Sequence, residues 1–294
     1  MKSLVFASGK GGTGKTTLTA LVAHLLDGPG VAVADCDVEA SNLPIALHAT
    51  ITHREAFSGG GVAVVDPDLC RGCGACARVC RFGAFVTPVG HERVYRIDAW
   101  ACEGCAACVP ICPYGAISMD SREAGEVLDA TCAVGSMSFG QLGPGEDLSG
   151  KLVTEVRSRA RAMAEEHGSD VLLIDGPPGV GCPVIAAITN TDLLVAVTEP
   201  TMSGQHDLSR LVTLARRLDV PVVVVLNKAD LSESGAARLR AFAADEGLEV
   251  LGEIPFDPAL ASALDRFAEG LQPLESEGLL AVRGIVEAIV ARLV

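Results

Sequence analysis

The chain has 294 residues, a formal net charge of −14 and a pI near 4.8. That balance disfavours nonspecific binding to nucleic acid or to an anionic membrane, and fits a solvated acidic surface able to steer a basic partner. No apolar stretch approaches the roughly 20 residues of a membrane span, and no charged n-region with an apolar h-region follows Met1, so a cytoplasmic chain without a stable membrane anchor is expected.

Lys2 to Ala7 is a short apolar run that reads as a buried parallel strand. It ends at a glycine loop. Thr16 to Leu26 has helical periodicity, with Gly28-Pro29-Gly30 as its stop. Val31 to Ala34 reads as a second strand, leading into Asp35-Cys36-Asp37. From Val62 to Asp120 the composition changes. Eight of the eleven cysteines fall here, with Phe82, Phe85, Tyr95, Trp100 and Tyr114, and short strands are expected at Val62 to Val65 and Val94 to Ile97. The two halves of this stretch resemble each other, an internal duplication of about 30 residues. Ser121 to Gly150 reads as a glycine-rich connection. Alternation then resumes, with helices at Lys151 to Glu166 and Leu208 to Leu218, and strands at Val171 to Ile174, Leu193 to Val197, Val220 to Leu226 and Glu249 to Ile254. This order predicts an α/β fold with a doubly wound, mostly parallel sheet. Residues 1–61 and 121–294 would form it, and residues 62–120 would be a small inserted α+β domain.

Gly9 to Thr17 reads G-K-G-G-T-G-K-T-T: Gly9, Lys10, Gly11, Gly12, Thr13, Gly14, Lys15, Thr16 and Thr17. A glycine loop between a strand and a helix points backbone N–H groups at a phosphate. Lys15 would reach the β/γ oxygens and the Thr16 hydroxyl would ligate Mg²⁺.

The cysteines form two runs, Cys70, Cys73, Cys76, Cys80 and Cys102, Cys105, Cys108, Cys112, each spaced C-x2-C-x2-C-x3-C. That is the run of a bacterial two-[4Fe–4S] ferredoxin, in which the fourth cysteine ligates the other cluster. One cluster would be held by Cys70, Cys73, Cys76 and Cys112, the other by Cys102, Cys105, Cys108 and Cys80. A zinc site is the plainer alternative, but its cysteine pairs usually stand further apart. Arg81 follows Cys80 where Pro113 follows Cys112; a charge there would raise the potential of the second cluster, or simply face solvent.

The loop with its second lysine, Lys10, resembles the deviant Walker A motif of the MinD/ParA/Mrp family, which includes the nitrogenase iron protein. Asp35-Cys36-Asp37 with Asn42 resembles that family's switch I, and Asp175-Gly176-Pro177-Pro178-Gly179 its switch II in the Mrp branch. With the insert, the chain is similar to MinD-superfamily ATPases carrying a ferredoxin domain. A related nucleotide-binding domain occurs in cobyrinic acid a,c-diamide synthase, but nothing in the sequence points to an amidotransferase. The resemblance implies an ATP-dependent homodimer in which Lys10 reaches the partner's nucleotide, Asp37 orients the attacking water and Asp175 holds a Mg²⁺-bound water. Asn227-Lys228-Ala229-Asp230 fits a guanine-reading pattern, yet the family often has Asn here to read adenine, so ATP is favoured; Pro255 would help close the base pocket.

Three cysteines remain. Cys182 lies seven residues after Asp175, the distance at which the nitrogenase iron protein ligates a cluster bridging its dimer; a buried small hydrophobe is the plain alternative. Cys132 could be its partner, and Cys36 reads as a core residue. His206 reads as exposed. Leu279 to Val294 has an apolar stripe with too few charges for an interfacial helix, and so is expected in the core. The expected function is an Mg²⁺-dependent ATPase binding two [4Fe–4S] clusters and serving a redox or metallocluster partner protein, by electron transfer, cluster assembly or both. A spatial organiser is the third reading, weakened by the acidic charge.

Overall fold

The computed structural model describes residues 1–26, 30–90, 93–146 and 149–293. Its strands are β1 (Lys2–Ser8), β2 (Val31–Asp35), β3 (Thr50–Val65), β4 (Phe85–Val86), β5 (Arg96–Ile97), β6 (Ile117–Cys132), β7 (Gly135–Leu142), β8 (Val171–Pro178), β9 (Leu193–Thr198), β10 (Val222–Asn227) and β11 (Glu249–Ile254). Its helices are α1 (Lys15–Leu25), α2 (Leu43–Ala46), α3 (Ala75–Val79), α4 (Cys108–Ile111), α5 (Ser149–Glu166), α6 (Cys182–Ile188), α7 (Met202–Arg217), α8 (Glu233–Asp245), α9 (Ala259–Ala268) and α10 (Glu277–Leu293). Gly28-Pro29, read above as the stop of the first helix, lies outside the described residues.

Nine strands form one sheet in the order β11-β10-β9-β1-β8-β2-β7-β6-β3. From β11 to β7 every pairing is parallel. β2 and β9 are buried along their whole length, as strands covered by helices on both faces must be. The expected mostly parallel α/β sheet is therefore observed.

The chain divides into two compact units: Met1–Glu55, Glu126–Gln141 and Ser149–Val294 form one, Ala56–Gly125 and Leu142–Leu148 the other. β3 and β6 contribute residues to both.

Three strand readings need correction. The stretch from Ser121 to Gly150 is not a simple connection: it carries most of β6 and all of β7, and β7 pairs in parallel with β2 from Val31↔Gly135 to Asp35↔Phe139. Gly135 serves close packing rather than a turn. A Cβ on Gly135, at φ 145°, would stand 2.0 Å from the Val31 carbonyl oxygen. Val62 to Val65 is only the end of the sixteen-residue β3, whose first seven residues are all exposed and so lack a core face that alternation could reveal. The strand expected at Val94 to Ile97 shrinks to Arg96–Ile97, which pairs with β4.

α10 lays Leu279, Val282, Ile285, Val286 and Ile289 into the core, each at most 5% exposed. Burying each contributes on the order of 1.5–3 kcal/mol, ample to hold the helix on the core. Among the described residues no helix is long and apolar enough to cross a membrane.

Candidate functional site

β1 delivers the chain to the glycine loop at Ser8, whose hydroxyl donates to the Lys10 carbonyl oxygen at 2.8 Å. Gly14 takes the left-handed conformation (φ 86°) immediately before α1. It also lies so near Asn227 that an added Cβ would stand 2.3 Å from Asn227 Nδ2. The loop from Gly11 to Thr17 then lines a cleft of about 720 Å³ with Ser8, Asp37, Asn42 and Pro178. A cleft of that size suits a nucleotide-sized ligand.

Lys15 and Asp175 form a buried ion pair at 2.9 Å. The Thr16 hydroxyl donates to Asp175 Oδ2 at 2.6 Å and the Thr19 hydroxyl to Oδ1 at 3.1 Å. Both carboxylate oxygens of Asp175 thus have hydrogen-bond partners, which offsets the cost of burying it. Thr19 did not stand out in the sequence; its place one turn after Lys15 is the only signal it gives.

The two aspartates of the second strand have different roles. Asp35 is fully buried and accepts from the Asp37 N–H, the Ser41 hydroxyl and the Leu43 N–H, at 2.9, 2.7 and 3.0 Å. It braces the loop that carries Asp37. Burial, and then neighbouring Asp175, push its carboxyl up to about 7. Asp37 lines the cleft, and burial raises its carboxyl as well. Asn42 donates to the Ala40 carbonyl oxygen and precedes α2.

Lys10 pairs with Glu199 at the end of β9, and its ammonium also donates to the Ser203 hydroxyl at 3.2 Å. Glu199 lies 3.4 Å from Lys228 Nζ too, and Lys228 donates to the Gly12 carbonyl oxygen at 2.8 Å. Glu199 is partly buried, which alone would raise its carboxyl, but the two lysines hold it below the usual range. Glu199 was missed as a site residue; its position in the loop after a central strand was the available signal.

Asn227 donates to the Thr13 carbonyl oxygen at 2.7 Å, so it props the glycine loop. Asp230 accepts from the Phe256 N–H at 2.6 Å, tying the segment after β10 to the one that begins at Pro255.

In the second unit the eight cysteines gather into two groups of four. One cavity, of about 20 Å³, is lined by Cys70, Cys73, Cys76 and Cys112. The other, also of about 20 Å³, is lined by Cys80, Cys102, Cys105 and Cys108. Among the described residues no three His, Cys, Asp or Glu side chains converge on a point that a single ion could occupy. Backbone N–H groups of Ala116 and Ala63 donate to Cys112 Sγ at 3.3 Å and Cys102 Sγ at 3.5 Å. Burial pushes the Cys76 and Cys108 thiols up.

Cys182 is exposed at the start of α6, whereas Cys36 is fully buried and burial raises its thiol. Cys132 is half-buried and donates to the Gly135 carbonyl oxygen at 3.4 Å. His206 is exposed.

Residues 4–269 match the family CbiA, the CobQ/CobB/MinD/ParA nucleotide binding domain. An uncharacterized protein of Methanocaldococcus jannaschii is 34% identical over 76% of this chain and 77% of its own length. The iron-sulfur cluster carrier protein of Aquifex aeolicus is 27% identical over 44% of this chain and 40% of its own length. Among solved structures, the cell division ATPase MinD of Pyrococcus furiosus superposes with a TM-score of 0.58 at 19% identity, covering 99% of both chains. MinD of Pyrococcus horikoshii, solved with Mg-ADP, gives 0.57 at 19% identity, over 98% of this chain and 95% of that one. With a phosphate loop, a buried Lys15–Asp175 pair and a family match over most of its length, the chain belongs to the CobQ/CobB/MinD/ParA nucleotide-binding family.

Proposed function

We propose that this protein is an Mg²⁺-dependent ATPase whose nucleotide-controlled dimerisation is coupled to an inserted two-[4Fe–4S] ferredoxin domain, roughly residues 62–120. One observation carries the reading: eight cysteines stand as two fours around two cavities, in a chain that also carries a phosphate loop. In the nucleotide cleft, Lys15 would bind the β/γ-phosphate oxygens, Thr16 and Asp175 would hold a magnesium ion that neutralises phosphate charge, and Asp37 would orient the attacking water. Asn227 and Pro255 border the base. Lys10 crosses to a second copy when ATP is bound, which makes the active form a homodimer.

The donor sets fit cubane clusters. A single zinc ion needs four ligands on one point at about 2.0–2.3 Å, and the cysteines instead surround a cavity. Four thiolates around a cavity is the arrangement a cubane requires. Backbone N–H groups point at Cys102 and Cys112 Sγ, as hydrogen bonds to cluster sulfurs do. Bound there, such clusters would supply one-electron exchange. The insert lies between Asp37 and Asp175 in the sequence.

A second reading is carriage of a cluster. It is favoured by the exposed Cys182, seven residues after Asp175, and by the relatives named as iron-sulfur cluster carriers. The redox or cluster-accepting partner would then receive a cluster rather than an electron.

Anaerobic purification tests both. About eight irons per chain that resist a chelator support fixed clusters and electron exchange. About ten per chain, with the chelatable share lost in Cys182→Ala, support carriage. Absence of iron sinks both readings.

A further inference from the structure

The two cysteine runs are near copies, yet they differ in charge beside their cavities. Arg71 follows Cys70 and lines the first cavity; Glu103 takes the equivalent place after Cys102 and lines the second. Arginines accumulate around the first loop. Arg78 donates to the Cys73 carbonyl oxygen at 3.2 Å, and its Nη1 lies 3.4 Å from where a Cβ on Gly74 would be. The backbone of Arg93 packs on Gly72, with its carbonyl oxygen 2.3 Å from the corresponding position. Arg71, Arg78 and Arg93 are exposed, and among the described residues none is paired with a carboxylate, unlike Arg122, which holds Glu146. Between Asp68 and Asp98 the sequence has five arginines and one acidic residue, Glu92, although one of the five, Arg81, follows Cys80 of the second cavity.

We infer that the arginine-bearing side of the Cys70–Cys76 loop is the docking surface for an acidic electron-carrier protein. The inference rests on the cluster reading above for what the carrier would meet there. The physical argument is one of contrast. A chain of net charge −14 repels an acidic partner over most of its surface, so a local positive patch becomes a place of favourable approach. Guanidinium groups suit this role because they are weakly hydrated and pair bidentately with carboxylates. Glu103 repels the same partner from the second cavity, so the surface selects which of two similar loops is approached. A nucleic acid would also meet arginines here, but three are few against the repulsion of the whole chain.

The test uses the full chain, purified anaerobically, and an acidic plant-type [2Fe–2S] ferredoxin as probe, with basic cytochrome c as counter-probe. Binding of the ferredoxin is expected to weaken about tenfold between 50 and 300 mM NaCl. It is expected to weaken by at least about tenfold in the triple variant Arg71→Gln/Arg78→Gln/Arg93→Gln, and to be unchanged in Arg54→Gln, whose side chain pairs with Glu126 in the other unit. Cytochrome c should not bind more weakly to the triple variant. Salt-insensitive ferredoxin binding, a triple variant that binds like the parent, or tighter arginine-dependent binding of a 20-base-pair DNA duplex would overturn the inference. Iron is counted in each preparation. Loss of iron with arginine-dependent binding retained overturns only the cluster reading, and full iron with arginine-independent binding overturns only the docking surface.

Discussion

Lys10 and Glu199 are joined as an ion pair within one chain, and the same carboxylate lies 3.4 Å from Lys228. If Lys10 is to reach a second copy's nucleotide, this pair must open first. Glu199 therefore competes with dimer closure. The pair is partly exposed, so its opening costs about 1 kcal/mol in each protomer, or roughly thirtyfold in the dimerisation constant for the two pairs together. Glu199→Gln is expected to lower the concentration at which an ATP analogue produces dimer by about that factor, as read by sedimentation equilibrium; Lys10→Ala should abolish the dimer. A weaker dimer in Glu199→Gln would show that the glutamate supports closure instead.

Asp37 and Asp35 separate by function. Asp37→Ala is expected to lower hydrolysis by about 10²-fold or more while leaving nucleotide affinity and melting temperature nearly unchanged. Asp35→Ala removes the acceptor of three hydrogen bonds inside the core, and should lower the melting temperature as well. Phosphate release and thermal melting on the two variants check both statements. Equal losses of activity and stability in both would erase the distinction.

Gly72 and Gly104 occupy equivalent places in the two cysteine loops, at φ 67° and φ 63°. A Cβ would stand 2.3 Å from the Arg93 carbonyl oxygen in the first and 2.3 Å from the Gly61 carbonyl oxygen in the second. Each loop can close only without a side chain there. Gly72→Ala and Gly104→Ala are each expected to lose about four irons per chain, half the parent's content, by colorimetric iron assay. Full iron in either variant would contradict the proposed sites.

Much of this could be read from the chain before its structure. The strand, loop and helix around Lys15 were legible because a buried parallel strand is a plain apolar run and a phosphate loop has a local sequence form. So was the buried stripe of α10. β3, β6 and β7 were not legible. β3 starts with seven exposed residues, and the glycines of β7 resemble turn formers until Val31 is placed against Gly135. Glu199 and Thr19 were missed for a related reason. Their partners Lys10 and Asp175 lie far away in sequence, and only the parallel register of the sheet brings them together.

Asp192 accepts from the backbone N–H and the hydroxyl of Ser3, at 2.8 and 2.9 Å. Burial acts to raise its carboxyl, but the Ser3 bonds and nearby Lys2 outweigh it and hold the group below its ordinary 3.8. A carboxyl depressed on folding adds stability that is present above the unfolded value and is lost as pH falls through the folded one. Melting temperature against pH should therefore drop more steeply below about pH 4 in the parent than in Asp192→Asn. Parallel acid limbs would remove Asp192 from the account.

Alkylation should distinguish Cys182 from Cys36. With iron bound, iodoacetamide in native buffer is expected to modify Cys182, which is exposed, and to spare Cys36, which is buried with its thiol pushed up. Peptide mass mapping reads the outcome. Protection of Cys182 in the iron-loaded protein would mean that the thiol is already engaged.

Each repeat of the cysteine module gives three thiols to one cavity and its fourth to the other. One repeat alone completes neither. Two repeats complete both, whether they lie on one chain or on two. The duplication thus joins head to tail what would otherwise have to be a pair of separate molecules. It also makes the two cavities interdependent: a chain cut between the repeats and separated loses both rather than keeping one.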